Sequence, residues 1–194
     1  SEMSSIALEY GGTIDKFIGD AVLIFFGDPE SEGAKNDAIK CVKMAIDMQK
    51  KMSSLTNIWG EKFGLKRPLE MRVGISTGFC TVGNFGSNNR LDYTVIGGQV
   101  NLASRLETAS SPGEILISHD TFFQVNKDIE CIKIKPLKVK GLKDEIEAFK
   151  VLQDYVSHKK ILTTENVKIS VNTEKITSDE LQRIKNFLDI NKKK

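Results

Sequence analysis

Cysteine, proline, histidine and tryptophan are all scarce in this chain: three, four, two and one among 194 residues. Cys41, Cys80 and Cys131 are far apart, odd in number and in no metal-ligand spacing, which excludes a disulfide framework and fits reduced thiols in a cytosolic protein. His119 and His158 stand away from any cysteine cluster, so neither is assigned a metal. No apolar run approaches the roughly 18 residues of a membrane span. The opening SEMSSIALEYGG lacks the basic and apolar regions of a signal peptide. The expectation is a soluble, cytoplasmic segment with no membrane contact of its own, although a longer parent could carry an anchor.

Charge of one sign is also missing, since the net charge is only +2. Residues 151–194 hold nine Lys and Arg against six Asp and Glu, so the slight basicity belongs to the tail and its terminal Lys192, Lys193 and Lys194. A nucleic-acid binder would carry a basic face on its folded body. The first 150 residues have none, which argues against a nucleic-acid partner. What is present is ordinary: 40% hydrophobic and 28% charged residues, which excludes collagen-like, low-complexity and wholly disordered chains. A chain of this length can bury about 70% of its unfolded surface without staples.

Residues 3–10 read as the end of a helix stopped by Gly11-Gly12, and a helix that begins uncapped at the first residue suggests a piece of something longer. TIDKFI and AVLIFF around Gly19-Asp20 read as a tight hairpin. The unbroken apolar run Ala21 to Phe26 suggests a strand covered on both faces. Residues 36–52 place Ile39, Val42, Ala45, Ile46 and Met52 on one helical stripe. SSLTNIWGEKFGLKRP is loop-like. MRVGIST alternates as a half-buried strand, FCTVGNF and LDYTVI flank GSNNR as a second hairpin, and QVNLASRLETA forms the next helix. Strand EILIS, short helix TFFQV and strands ECIKIKPLKV and EIEAFKV follow. The order from Gly11 to Leu152, read as β-β-α-β-β-α-β-α-β-β, predicts an α+β sandwich with one antiparallel sheet and helices packed on it. Residues 153–194 read as a separate extension, with VKISV as a strand and Thr177-x-x-Glu180 as a capping box opening a short helix.

A few residues carry potential chemistry. Asn101 and Arg105 are four apart on one helix face, while Leu102, Leu106 and Ala109 fall on another. Arginine offers a rigid fork of donors suited to phosphate, and asparagine can orient a hydroxyl. Asp20, at a hairpin tip, can reach a hard cation. Lys16 falls by alternation on the face of Ile14 and Ile18, an unusual place for a lysine, with Asp15 on the opposite, solvated face. Thr94 shares its strand face with Asp92 and Ile96 and could offer a hydroxyl to a ligand. Taken singly, each is as easily a solvated or structural side chain.

The runs GGTIDKFIGDAVLIFFGDP, MRVGISTGFCTVGNFGS and RLDYTVIGGQVNLASRLE, in that order, closely resemble the catalytic domain of class III nucleotidyl cyclases, the adenylyl/guanylyl cyclase family, of the bacterial adenylate cyclase type. The resemblance covers about residues 1–152. It implies an α+β, ferredoxin-like antiparallel sheet with packed helices, the family's first strand and helix being absent from these 194 residues. It implies conversion of a nucleoside triphosphate to the 3′,5′-cyclic monophosphate and pyrophosphate in cyclic-nucleotide signalling, with two Mg²⁺ or Mn²⁺ ions held by two aspartates.

Asp20 matches the second of those aspartates, Lys16 the purine-reading lysine and Thr94 the residue assisting it, a pairing that suits ATP. Asn101 matches the residue orienting the ribose, and Arg105 the arginine stabilising the transition state. The first aspartate, in a run resembling D-I-x-G-F, has no counterpart here, so these residues alone are expected to turn over little or not at all. Glu147 falls where some relatives place a triphosphate lysine, with Lys140 and Lys143 nearby, and no such role is assigned. The family implies a homodimer with sites at the subunit interface. A non-catalytic cyclase-like module that dimerises or binds nucleotide is the alternative. A diguanylate cyclase is excluded because there is no GG(D/E)EF run.

Overall fold

The computed structural model describes residues 2–55, 59, 64, 69–87, 90–138, 145–153, 159–163, 168–172, 177, 179–180, 182–184 and 186. The chain divides into two compact units, Ser1–Gln153 and Asp154–Lys194.

In the first unit, helix α1 (Glu2–Glu9) ends at Gly11, whose φ of +78° a side-chain-bearing residue would resist. Strands β1 (Thr13–Ile18) and β2 (Ala21–Phe25) form an antiparallel hairpin closed by Gly19-Asp20, with Ile18 opposite Ala21. Gly19 has φ +63°, the positive angle a two-residue hairpin turn needs first. Helix α2 (Ala34–Ser54) follows. Then come β3 (Val73–Ile75), the hairpin of β4 (Thr81–Ser87) and β5 (Arg90–Ile96), helix α3 (Gly98–Ala109), β6 (Ile115–Ser118), helix α4 (His119–Val125), β7 (Cys131–Lys133) and β8 (Ala148–Val151). Ser118 caps α4 by accepting the Thr121 N–H.

Three strands stand between α2 and α3 where the expected order counted two: MRVGIST and the two strands of the second hairpin, each at the segment read for it. Four strands form one sheet in the order β3-β6-β8-β7. One ladder departs from a wholly antiparallel arrangement: β3 runs parallel to β6, with Val73 opposite Ile115 and Ile75 opposite Ile117. Helix α3 makes the crossover between them, as a parallel pair requires.

Both faces of this sheet are covered. On one, Ala38, Val42, Ala45 and Ile46 of α2 and Val125 of α4 pack with Ile75, Ile115, Ile117, Phe149 and Val151. On the other, Leu106 of α3 packs with Leu116 and Ala148. β3 is half-buried, as expected, with Ile75 buried and Val73 and Gly74 partly so, and the α3 backbone lies close over Gly74. Of the expected α3 core face Leu106 is buried and Leu102 partly so, but Ala109 is exposed, since the helix ends there. Along α2 a second stripe, Met44 and Met48, packs against Ala7 of α1 and Ile14, Ile24 and Phe26 of the first hairpin.

β2 is half-buried and, among the described residues, pairs only with β1, so its apolar run is not that of a strand inside a wider ladder. One face is taken by the methionine stripe. The expected strand ECIKIKPLKV is short: β7 stops at Lys133, and beyond it Leu137 bridges Ile146. Most of the segment expected as a loop after α2, together with Lys140, Lys143 and the GLKDE turn up to Asp144, lies outside the described residues.

In the second unit, β9 (Lys159–Thr163) and β10 (Lys168–Asn172) pair antiparallel. The capping box forms: the Thr177 N–H donates to Glu180 Oε2 at 2.8 Å and the Glu180 N–H to Thr177 Oγ1 at 3.3 Å.

Candidate active site

The first hairpin breaks its own alternation. Between Ile14 and Lys16 the register advances two residues on β1 for one on β2, so Asp15 is the extra residue of a β-bulge. A bulge turns adjacent side chains toward the same side. Ile14 consequently packs inward against the methionine stripe while Lys16 is exposed, and the two do not share a face as strict alternation predicts.

The larger correction concerns Asp15, expected to be solvated. Its side chain is 1% exposed and sits against β5. Oδ2 accepts from Thr94 Oγ1 at 2.6 Å and from the Val95 N–H at 3.2 Å. Oδ1 lies 3.3 Å from Lys16 Nζ, whose side chain is 44% exposed. A buried carboxylate is tolerated because it is satisfied on both oxygens. Thr94 is 7% exposed although Asp92 and Ile96 on either side of it are exposed, since β1 passes over it. Lys16 and Thr94, far apart in sequence, are thus brought to one carboxylate. The signal missed in the sequence was the adjacent pair Asp15-Lys16 in an otherwise apolar strand, which period-two alternation cannot place on one side without a bulge.

Asp20 occupies the exposed turn of the same hairpin. On α3, Asn101 is exposed and Arg105 half-buried. No described hydrogen bond or ion pair joins Asp20, Asn101 and Arg105 to one another or to Lys16. Helix α3, which carries Asn101 and Arg105, is nevertheless fixed closely. A Cβ on Gly74 of β3 would stand 2.1 Å from Ala103 O and 2.2 Å from Glu107 N, so only glycine lets α3 lie this near the sheet. Arg72 Nε reaches Glu107 Oε1 at 2.9 Å and Ser76 Oγ reaches Gln99 Oε1 at 2.5 Å, pinning both ends of the helix to the residues that flank β3.

The surroundings are tied in the same way. Tyr93 donates to Asp28 Oδ1, linking β5 to the loop after β2, and that hydrogen bond to a carboxylate raises the Tyr93 pKa. Tyr10 donates to Asp47, and burial together with that bond pushes its pKa up to about 12. Glu147 is paired by Lys133 at 2.5 Å.

Asp20 offers one hard oxygen ligand, and divalent Mg²⁺ or Ca²⁺ sites need roughly six. Among the described residues no group of three or more His, Cys, Asp and Glu is placed to hold a metal. The donor set of the described residues therefore does not by itself fit a two-metal clamp.

Residues 2–153 match the family model described as the adenylate and guanylate cyclase catalytic domain. The chain belongs to that family. It is 35% identical over 157 residues to a terminal-differentiation specific adenylate cyclase of Dictyostelium discoideum, covering 78% of this chain but 7% of that protein. Among solved structures it resembles the adenylyl cyclase CyaB from P. aeruginosa, with 54% identity, a TM-score of 0.75 and coverage of 78% of this chain and 76% of that one. It also resembles the guanylyl cyclase Cya2, with 36% identity, a TM-score of 0.71 and coverage of 77% and 74%. The expected family and α+β cyclase fold are thereby established. Among the described residues no helix is long and apolar enough to cross a membrane.

Proposed function

We propose that residues 1–152 form an adenylate cyclase catalytic domain acting on ATP as a cytoplasmic homodimer in cyclic-nucleotide signalling, with 153–194 as a C-terminal extension. The observation that carries the choice of ATP is the Lys16 ammonium, exposed yet held by a buried carboxylate beside Thr94. A fixed cation there donates to adenine N1, whereas glutamate at that position would suit the donors of guanine.

Arg105 directs its fork at the charge building on the α-phosphate, and Asn101 orients the ribose so that its 3′-oxygen lies in line. Such a reaction needs positioning and charge stabilisation more than covalent help from protein. Family members use Mg²⁺ or Mn²⁺ to activate that oxygen and neutralise the phosphates. Asp20 supplies one carboxylate toward such an ion.

Support for a shared site comes from the large apolar side chains left exposed on the two hairpins, among them Phe17, Ile18, Leu91 and Ile96. In this reading Lys16, Thr94, Asn101 and Arg105 serve one site of the dimer and Asp20 the other. The single aspartate favours the alternative of a non-catalytic nucleotide-binding module for these residues by themselves.

A complementation assay separates the two. The chain is mixed with a CyaB catalytic domain disabled at its own lysine and arginine positions but keeping both metal aspartates. Cyclic AMP is expected from the mixture, and little or none from either component. A mixture that sediments as a heterodimer without making product overturns the catalytic reading. Substantial cyclic AMP from the 194 residues alone overturns the expectation that they need a partner's carboxylates.

A further inference from the structure

If Lys16 and Thr94 meet the purine, threonine is by itself an ambiguous reader, because a hydroxyl can donate or accept. Adenine presents a 6-amino donor, and guanine presents an O6 acceptor at the same place. A hydroxyl free to turn would satisfy either and discriminate little. The structure removes that freedom. Thr94 Oγ1 donates its one proton to Asp15 Oδ2 at 2.6 Å, and the Val95 N–H holds the same oxygen from the other side at 3.2 Å. The carboxylate is shut off from water, and its second oxygen faces Lys16 Nζ at 3.3 Å. With that proton committed, Thr94 Oγ1 has only lone pairs left to offer.

We propose that Asp15 is a specificity-setting positioning residue. It holds Thr94 as an acceptor and Lys16 as a donor, so that the pair matches the 6-amino group and N1 of adenine and opposes O6 and N1–H of guanine. This rests on the assignment of Lys16 and Thr94 as the base-reading pair. Asp15 itself touches no substrate and acts through those two side chains. The position demands a carboxylate for a simple reason: the Thr94 hydroxyl, the Val95 N–H and the Lys16 ammonium are all donors. An asparagine has one acceptor oxygen and would turn its amino group on at least one of them. Either Lys16 then swings away, or the Thr94 hydroxyl turns outward as a donor and accepts guanine.

The test is equilibrium binding of ATP, GTP and purine riboside triphosphate, which lacks the 6-amino group. It compares the 194-residue chain with Asp15→Asn, Thr94→Val, Thr94→Ser and Lys16→Glu, circular dichroism confirming that each is folded. The native chain is expected to favour ATP over each of the other two by about tenfold, the worth of about one net hydrogen bond. Asp15→Asn is expected to lose most of both preferences, and Thr94→Val to lose the preference over purine riboside triphosphate. Thr94→Ser is expected to keep both within about twofold, its hydroxyl being intact.

If Lys16→Glu shifts the ATP-to-GTP ratio while Asp15→Asn leaves both preferences at the native value, the role of Asp15 is overturned and base reading by Lys16 stands. Equal weakening of all three nucleotides in Asp15→Asn, with ratios unchanged, would mark Asp15 as merely structural and also overturns it. If no variant alters the ratios, or the chain binds no nucleotide, the base-reading assignment fails and takes the inference with it. Should Asp15→Asn not fold, the Thr94 pair decides: the 6-amino preference must vanish in valine and survive in serine.

Discussion

The close approach of α3 to Gly74 offers a direct check on how the site is held. In Gly74→Ala the new Cβ would lie 2.1 Å from Ala103 O and 2.2 Å from Glu107 N, both main-chain atoms of α3 with no rotamer to yield. A carbon–oxygen contact needs about 3.3 Å, so the helix must retreat by about 1 Å or the strand must bend. Overpacking of this kind costs about 1–3 kcal/mol. The movement also strains the Arg72–Glu107 pair and the Leu106 packing against Leu116 and Ala148. With a urea dependence of about 2 kcal/mol per molar, the unfolding midpoint should fall by about 1 M. Gly83→Ala is the internal control, because its nearest neighbour outside the adjacent residues is a Phe85 ring carbon at 3.9 Å, and its midpoint should hardly move. Since α3 carries Asn101 and Arg105, Gly74→Ala should also cut product in the complementation assay by about a hundredfold, the scale set by a 1 Å misplacement. A Gly74→Ala protein with native midpoint and native product would refute the claim that this glycine sets the height of the helix.

Two other outcomes follow from titratable groups. The Lys150 ammonium, 2.5 Å from Glu114 Oε1, holds the Glu114 pKa below its usual value, with the Ser111 N–H helping. A depressed carboxylate contributes stability above its unfolded pKa and loses it as pH falls through the folded one. Glu114→Gln should therefore lower stability at pH 7, by at most about 1 kcal/mol for so exposed a pair, and the gap should close below about pH 4. Urea midpoints measured across that range that stay parallel would contradict this. For the thiols, burial pushes Cys41 up to about 12 and Cys131 to about 11, whereas Cys80 is exposed. Thiol titration at pH 8 should label one cysteine quickly and the other two only on unfolding, and fast labelling of a second would be inconsistent with these surroundings.

The ordered motifs made the family legible, and the helices were readable because each has an apolar stripe with a sheet face to bury it. What escaped the sequence is where period-two reasoning fails. Asp15 looked solvated because alternation sent it away from Lys16, and a single bulged residue reverses that assignment for everything before it in the strand. Gly74 gave no sign of its place, because a glycine has no side chain to report which face it lies on. Its meaning comes from a helix that returns to it from Gly98–Ala109, a contact no local pattern encodes.

The two omissions have the same physical character. The side chains proposed to meet the substrate, Lys16, Thr94, Asn101 and Arg105, stand out only through the ordered motifs that contain them. The residues that aim them are chosen by geometry alone, a buried acceptor facing three donors in one case and a missing Cβ in the other. It follows that substitutions at Asp15 and Gly74 should be separable in kind. Loss of the carboxylate should change which base is accepted while the unfolding midpoint stays nearer native than in Gly74→Ala. Loss of the glycine should lower turnover for ATP and GTP alike, because α3 carries Asn101 and Arg105, proposed for the ribose and phosphate, and neither Lys16 nor Thr94.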